Sequence, residues 1–203
     1  LMTLGLSREA LAGSFIKDNF TRTGLSESIT APFRSPSTST VNEYGGLVEI
    51  VVSGTGFSLA QDINDAFYGV PSGNPLDSQF YQLNIGYDGQ PLFPFVGESR
   101  NINNFITFID GIGFVNSPAT PPYAVDNIYN FVVSLPSDAG SLRFGVSDGN
   151  FSDNGGQYNI DVYQLEAKQP TESVPEPSSV ISLLALGTLG GASTLQYRWS
   201  KQS

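Results

Sequence analysis

Apolar and polar positions alternate over residues 157–165, where Tyr158, Ile160 and Val162 are separated by Asn159 and Asp161. That period of two is the pattern of a strand with one face buried. The runs 47–52, 104–115, 129–135 and 141–146 are rich in β-branched and aromatic residues and are bounded by Gly, Pro, Asn and Asp, so they are also predicted as strands. Outside the last thirty residues there is no sustained helical periodicity. The pattern predicts an all-β domain over 13–166, an antiparallel β-sandwich, with a closed barrel as the second architecture. Residues 30–40, TAPFRSPSTST, read as a loop before the first core strand, and 71–101 and 116–127 as long connections. Binding residues are expected on such loops. Residues 167–179 form a polar, proline-stiffened linker.

The two ends break this pattern. Residues 180–195 contain no charge, which gives about 24 Å as a helix and about 30 Å if extended to Trp199, the thickness of a bilayer core. Tyr197 and Trp199 suit a membrane interface, and Arg198 and Lys201 would stay on the cytoplasmic side. Residues 180–203 are therefore expected to be a transmembrane helix with a basic tail, displaying the domain outward. At the other end, Ala10-Leu11-Ala12 is a small-x-small cleavage pattern that would leave a chain beginning at Gly13. Residues 1–12 thus read as a signal-peptide remnant whose start lies further upstream, or equally as a short helical N-terminus.

Charge and composition narrow the chemistry. The chain has 203 residues, enough to bury the core of one domain, and a formal net charge of −10, which repels a phosphate backbone. Nucleic acid is not an expected partner. With no Cys and no His, disulfides, thiolate nucleophiles, imidazole-ligated metals and every Ser-His or Cys-His pair are excluded.

Val174, Pro175, Glu176 and Pro177, followed by Ser178-Ser179, an apolar stretch and terminal cations, resemble the PEP-CTERM sorting signal of envelope and biofilm-forming bacteria. The resemblance covers 30 residues and implies an exosortase-type membrane enzyme as processing partner and delivery to the cell envelope or extracellular matrix. That family usually ends in a denser basic cluster than Arg198 and Lys201 provide. An ordinary single-pass C-terminal anchor is the competing reading.

One internal stretch carries candidate chemistry. In LRFGVSDGNFSDNGGQYNIDV, residues 142–162, Asp148, Asn150, Asp153 and Asn154 offer several oxygen ligands in a predicted hairpin loop. Calcium takes six to eight such oxygens from carboxylates, amides and backbone carbonyls. Gly155 and Gly156 would let the chain wrap an ion. The same letters are those any β-turn prefers, so a purely structural loop is the alternative.

The segment 147–162 resembles the C-terminal hairpin of bacterial galactophilic calcium lectins, small β-sandwiches whose calcium coordinates sugar hydroxyls. Residues 41–58, VNEYGGLVEIVVSGTGFS, are similar to their early strand, entered through a turn that donates a backbone carbonyl. Position by position, the resemblance implies Asp148 as the first acidic ligand and Asp153 and Asn154 as the paired ligands. Here Asp replaces the first of two Asn, the loop is shorter by about two residues, and Gly155 stands where Ser is usual.

A second acidic pair, Asp62 and Asp65, lies beside Phe67 and Tyr68. A carboxylate near an aromatic platform is the arrangement of a sugar-binding or glycosidase site, although a turn entering a core strand explains the same residues. The sequence as a whole reads as an exported, non-enzymatic, envelope-associated protein with a calcium-dependent carbohydrate-binding domain. Its expected partners are an exosortase, the membrane and an exopolysaccharide or other glycan. The alternative is a structural matrix component with no ligand.

Overall fold

The computed structural model describes residues 16–58, 62–70, 73, 82–88, 101–146, 148 and 150–168. The N-terminal remnant, the sorting motif Val174–Pro177 and the apolar segment 180–203 lie outside the described residues. Among the described residues no helix is long and apolar enough to cross a membrane.

The described chain is all-β and mostly antiparallel, with two sheets around a main core and a second, smaller apolar cluster of Ile16, Phe20, Phe108, Val132 and Leu165. Its strands are β1 (Phe20–Pro32), β2 (Thr38–Tyr44), β3 (Leu47–Ser53), β4 (Gly56–Ser58), β5 (Asp62–Asn64), β6 (Gly69–Val70), β7 (Asn84–Gly86), β8 (Ile106–Ile109), β9 (Gly113–Phe114), β10 (Tyr129–Ser134), β11 (Gly140–Gly145) and β12 (Asn154–Ala167). The larger sheet runs β6-β5-β4-β12-β3-β10-β8-β9, with β1 paired to the other edge of β12, and the smaller runs β2-β11-β7. Val48, Ile50 and Val52 of β3, Phe131 and Val133 of β10, and Tyr158, Ile160 and Val162 of β12 fill one side of the core. Tyr44, Ile85, Leu142 and Phe144 of the smaller sheet fill the other. Each set obeys the period of two, because only alternate residues of a strand face one side.

Several elements differ from the sequence expectation. Strand β1 was not visible as a strand, because most of its side chains are exposed and polar. The predicted loop 30–40 therefore shrinks to residues 33–37 between β1 and β2. The run 104–115 divides into a 3-10 turn and the hairpin β8–β9, and the expected hairpin around residue 150 is not a hairpin. β11 has both edges taken, by β2 and β7, so the chain must cross to the larger sheet before β12 begins.

Glu49 interrupts the apolar run of β3 on the face opposite the core. It is nearly fully buried, and Arg22 of β1 closes a fork on it, Nε to Oε2 at 2.7 Å and Nη2 to Oε1 at 2.8 Å. Asn130 Nδ2 adds a third donor at 3.2 Å, and the Arg22 guanidinium lies 3.5 Å from the Tyr163 ring centroid. A buried carboxylate is tolerated when such donors satisfy it. On the edge strand β2, Glu27 accepts from the backbone N–H of Val41 at 2.8 Å and of Asn42 at 3.0 Å, which satisfies amides that would otherwise recruit another strand.

β3 and β4 pair with the same edge of β12 in one unbroken register, Ser53 opposite Asn159 and Gly56 opposite Gly156. The ladder is interrupted between them by two left-handed glycines, Gly54 at φ +102° and Gly156 at φ +89°. A Cβ on Gly54 would stand 2.4 Å from the Gln157 carbonyl oxygen, and one on Gly156 would stand 2.3 Å from that of Thr55. Glycine is required on both strands, and beyond the break Asn154 comes to lie opposite Ser58.

Candidate functional site

The crossover from β11 to β12 places Asp148, Asp153 and Asn154 together. Its path is set by turn chemistry: Asp148 Oδ1 accepts from Asn150 N at 3.1 Å, and Asn150 Oδ1 accepts from Ser152 N at 3.2 Å and Ser152 Oγ at 2.7 Å. Side-chain oxygens of Asp and Asn bond the backbone two residues on, which is why these residue types make the loop. A 3-10 turn over Phe151–Asp153 then delivers the chain into β12.

Asn154 is wholly buried at the floor of this loop. Its Nδ2 donates to Asp148 Oδ2 at 2.6 Å and to the Phe33 carbonyl at 3.0 Å. Its Oδ1 is buried with no hydrogen-bond partner, and so is Oδ1 of the adjacent Asp153. Buried acceptors are normally satisfied, since an unmet one costs about 1–3 kcal/mol, so two on consecutive residues beside the Asp148 carboxylate call for an explanation. The Asn154 backbone carbonyl accepts from Arg34 Nε at 2.6 Å. Arg34 belongs to the β1–β2 connection and is 120 positions away in sequence, so it was not legible as a site residue.

The structure thus joins Asp148 to Asn154 by a hydrogen bond, with Asp153 next to Asn154 in the chain, and these oxygens have the chemistry of ligands to a hard divalent cation. Among the described residues there is no group of three or more His, Cys, Asp or Glu placed to hold a metal ion, so an ion here would need amide or backbone oxygens besides the carboxylates. Gly155 and Gly156 do not wrap the loop. Gly155 lies beneath the Phe57 ring, where a Cβ would come within 2.5 Å of Cζ, and Gly156 serves the break opposite Thr55. The turn that enters β3, at Gly45–Gly46, is at the far end of β12. There Gly45 O accepts from Gln164 Nε2 at 2.6 Å and Gly46 O from Leu135 N at 2.8 Å.

No protein-family description matches the chain, and no curated protein matches it. Among solved structures the chain is similar to one described as "EclA N-terminal domain; PllA-like lectin", at 19% identity over 73% of this chain and 99% of that chain, with a TM-score of 0.29. Two backbones at that score superpose poorly over their length, and the site rests on this chain's own contacts.

The second acidic pair does not form a sugar platform around Asp65. That residue is fully buried: Oδ1 accepts from Phe67 N at 2.8 Å and Tyr68 N at 2.6 Å, and Oδ2 accepts from Tyr129 Oη at 2.6 Å. Tyr158 Oη donates to its backbone carbonyl at 2.8 Å. Burial pushes the Asp65 carboxyl upward, against the opposing effect of the Tyr129 hydroxyl and the two backbone donors. Phe67 is equally buried and packs edge-on against Tyr129 and Phe131. These residues tie the turn after β5 to β10 and β12. For Asp62 the structure describes only the backbone, as the first residue of β5.

Asp110, after β8, is the titratable group the sequence did not single out. Burial raises its carboxyl to about 6, with backbone donors from Gly111 and Ile16 opposing and the Glu49 charge adding to the rise. Its folded-state value lies above the ordinary 3.8. The stability it contributes is therefore full below the unfolded value and lost as pH climbs through about 6. Urea midpoints taken from about pH 4 to about pH 7 should fall for the wild type. In Asp110→Asn that part of the fall should vanish; an unchanged profile would mean Asp110 does not hold the proton.

Proposed function

We propose that the domain is a calcium-dependent carbohydrate-binding module and not an enzyme. The observation that carries this reading is the pair of buried, unpartnered oxygens on Asp153 and Asn154 beside the Asp148 carboxylate. Asp148 and Asp153 would supply the charged ligands and Asn154 Oδ1 a neutral one, with backbone carbonyls completing a set of hard oxygens. Calcium held there would supply positive charge that attracts the hydroxyl oxygens of a sugar. The tail supports a location for this activity: Val174, Pro175, Glu176 and Pro177 followed by an uncharged span fit export and exosortase processing, with the domain on the cell envelope or in the extracellular matrix.

A structural matrix component is the second reading, favoured by one observation. The Asp148–Asn150–Ser152 bonds already order the loop through protein groups alone. Calorimetric titration of the full chain with Ca²⁺, then a glycan array with and without chelator, separates the two. The expected result is saturable calcium binding and glycan signals that disappear in chelator. Failure to bind calcium would leave the structural reading.

A further inference from the structure

We propose that Arg34 makes this site selective for sugars bearing a carboxylate, uronic-acid glycosides, over their neutral counterparts; the inference rests on the calcium-site reading above. The Arg34 side chain is exposed but anchored. Its Nε donates to the Asn154 carbonyl at 2.6 Å, while Phe33 O accepts from Asn154 Nδ2 at 3.0 Å and Phe33 N donates to Gly156 O at 3.1 Å. Three bonds on consecutive residues thus fasten the β1–β2 connection to the start of β12.

The guanidinium fork of Arg34 remains open. Arg22 spends Nε and Nη2 on Glu49, and that is the one ion pair among the described residues. Among the described residues no protein group bonds the Nη atoms of Arg34, although Asn154, whose carbonyl it touches, follows Asp153 in the chain and donates to Asp148. Asp148 is already occupied by Asn150 N and Asn154 Nδ2. A planar fork anchored through Nε on an exposed residue is suited to a carboxylate from outside, which its Nη atoms can bind with two parallel hydrogen bonds.

Charge makes this recognition conditional. Asp148, Asp153 and Arg34 together carry −1, and the chain carries −10, so an acidic sugar is repelled from the bare loop. A bound divalent ion changes the sum of the three side chains and the ion to +1. An acidic glycoside then gains from both the ion and the fork, whereas a neutral one gains nothing from Arg34.

The test uses the full chain, wild type, Arg34→Gln and Arg34→Lys. Each is titrated first with Ca²⁺ alone, then, at saturating Ca²⁺, with methyl glucuronoside, methyl glucoside and acetate. Calcium should bind Arg34→Gln at least as tightly as wild type, because a nearby positive charge is removed. Wild type should prefer the glucuronoside to the glucoside by about tenfold, the worth of one charge-assisted contact. Arg34→Gln should lose that preference with glucoside affinity unchanged, and Arg34→Lys should keep part of it. Gln can still donate to the Asn154 carbonyl; if it fails to fold, the wild-type preference and the Lys variant decide. A preference retained in Arg34→Gln, no preference in wild type, or acetate binding as tightly as the glucuronoside would each overturn the proposal. Calcium binding without a uronate preference sinks this inference alone, whereas absence of calcium binding sinks the calcium reading and this inference with it.

Discussion

Asp65→Ala is expected to destabilise the fold by about 4 kcal/mol, toward the lower end of the roughly 3–9 kcal/mol for stranding two backbone N–H groups and one tyrosine hydroxyl at about 1–3 kcal/mol each. The donors are Phe67 N, Tyr68 N and Tyr129 Oη, and Asp65 itself is fully buried, so water cannot replace the lost acceptor without opening the core. For a chain of this size the melting temperature should drop by about 8–16 °C. Asp65→Asn retains one acceptor oxygen and should fall between. Because burial raises the Asp65 carboxyl, its contribution is full below the ordinary aspartate range and declines as pH rises, so the Asn variant should recover part of its deficit toward neutral pH. Thermal melts at acid and neutral pH check both statements. A variant as stable as wild type would show that the turn after β5 does not depend on this carboxylate.

Asp153→Asn should separate an ion site from a turn. Its carboxylate has a buried Oδ1 with no partner, so in chelator its neutralisation strands nothing and the melting temperature should hold. With calcium at about 100 times Kd, the wild type gains about 2.7 kcal/mol by mass action, and the variant should gain little of it. Asp148→Asn makes the contrast. Asp148 already accepts from Asn150 N and Asn154 Nδ2 through separate oxygens, so this variant should lose stability in chelator as well as in calcium. Differential scanning of the three proteins in calcium and in chelator reads this directly. An Asp153→Asn protein that gains as much from calcium as wild type would exclude Asp153 as a ligand.

The loop was legible in sequence for a physical reason: Asp, Asn and Ser write their own turn through bonds two residues apart, as Asp148 to Asn150 and Asn150 to Ser152 show. Its connection was not. Calling it a hairpin assumed that β11 and β12 pair, and only the occupation of both β11 edges by β2 and β7 forbids it. The polar strand β1 was missed because its order comes from pairing along β12, Phe20 opposite Ala167 to Pro32 opposite Gln157, and not from a buried face of its own. Asp65 read as a candidate acid because its hydroxyl partner, Tyr129 of β10, lies 64 positions away.

Local pattern by itself determined the strand-rich character of the chain, the alternation that fills the core in β12, the oxygen-rich loop at 148–154 and, through the lack of Cys and His, the chemistry that is closed to it. Tertiary structure alone decided which sheet each strand joined, which aspartate was sealed inside, which carboxylate oxygens were left unpaired and which arginine was set against Asn154. The division follows from the forces involved: side-chain alternation and turn bonds act over two to four residues. Burial and strand pairing exist only once the distant parts of the chain have closed on one another.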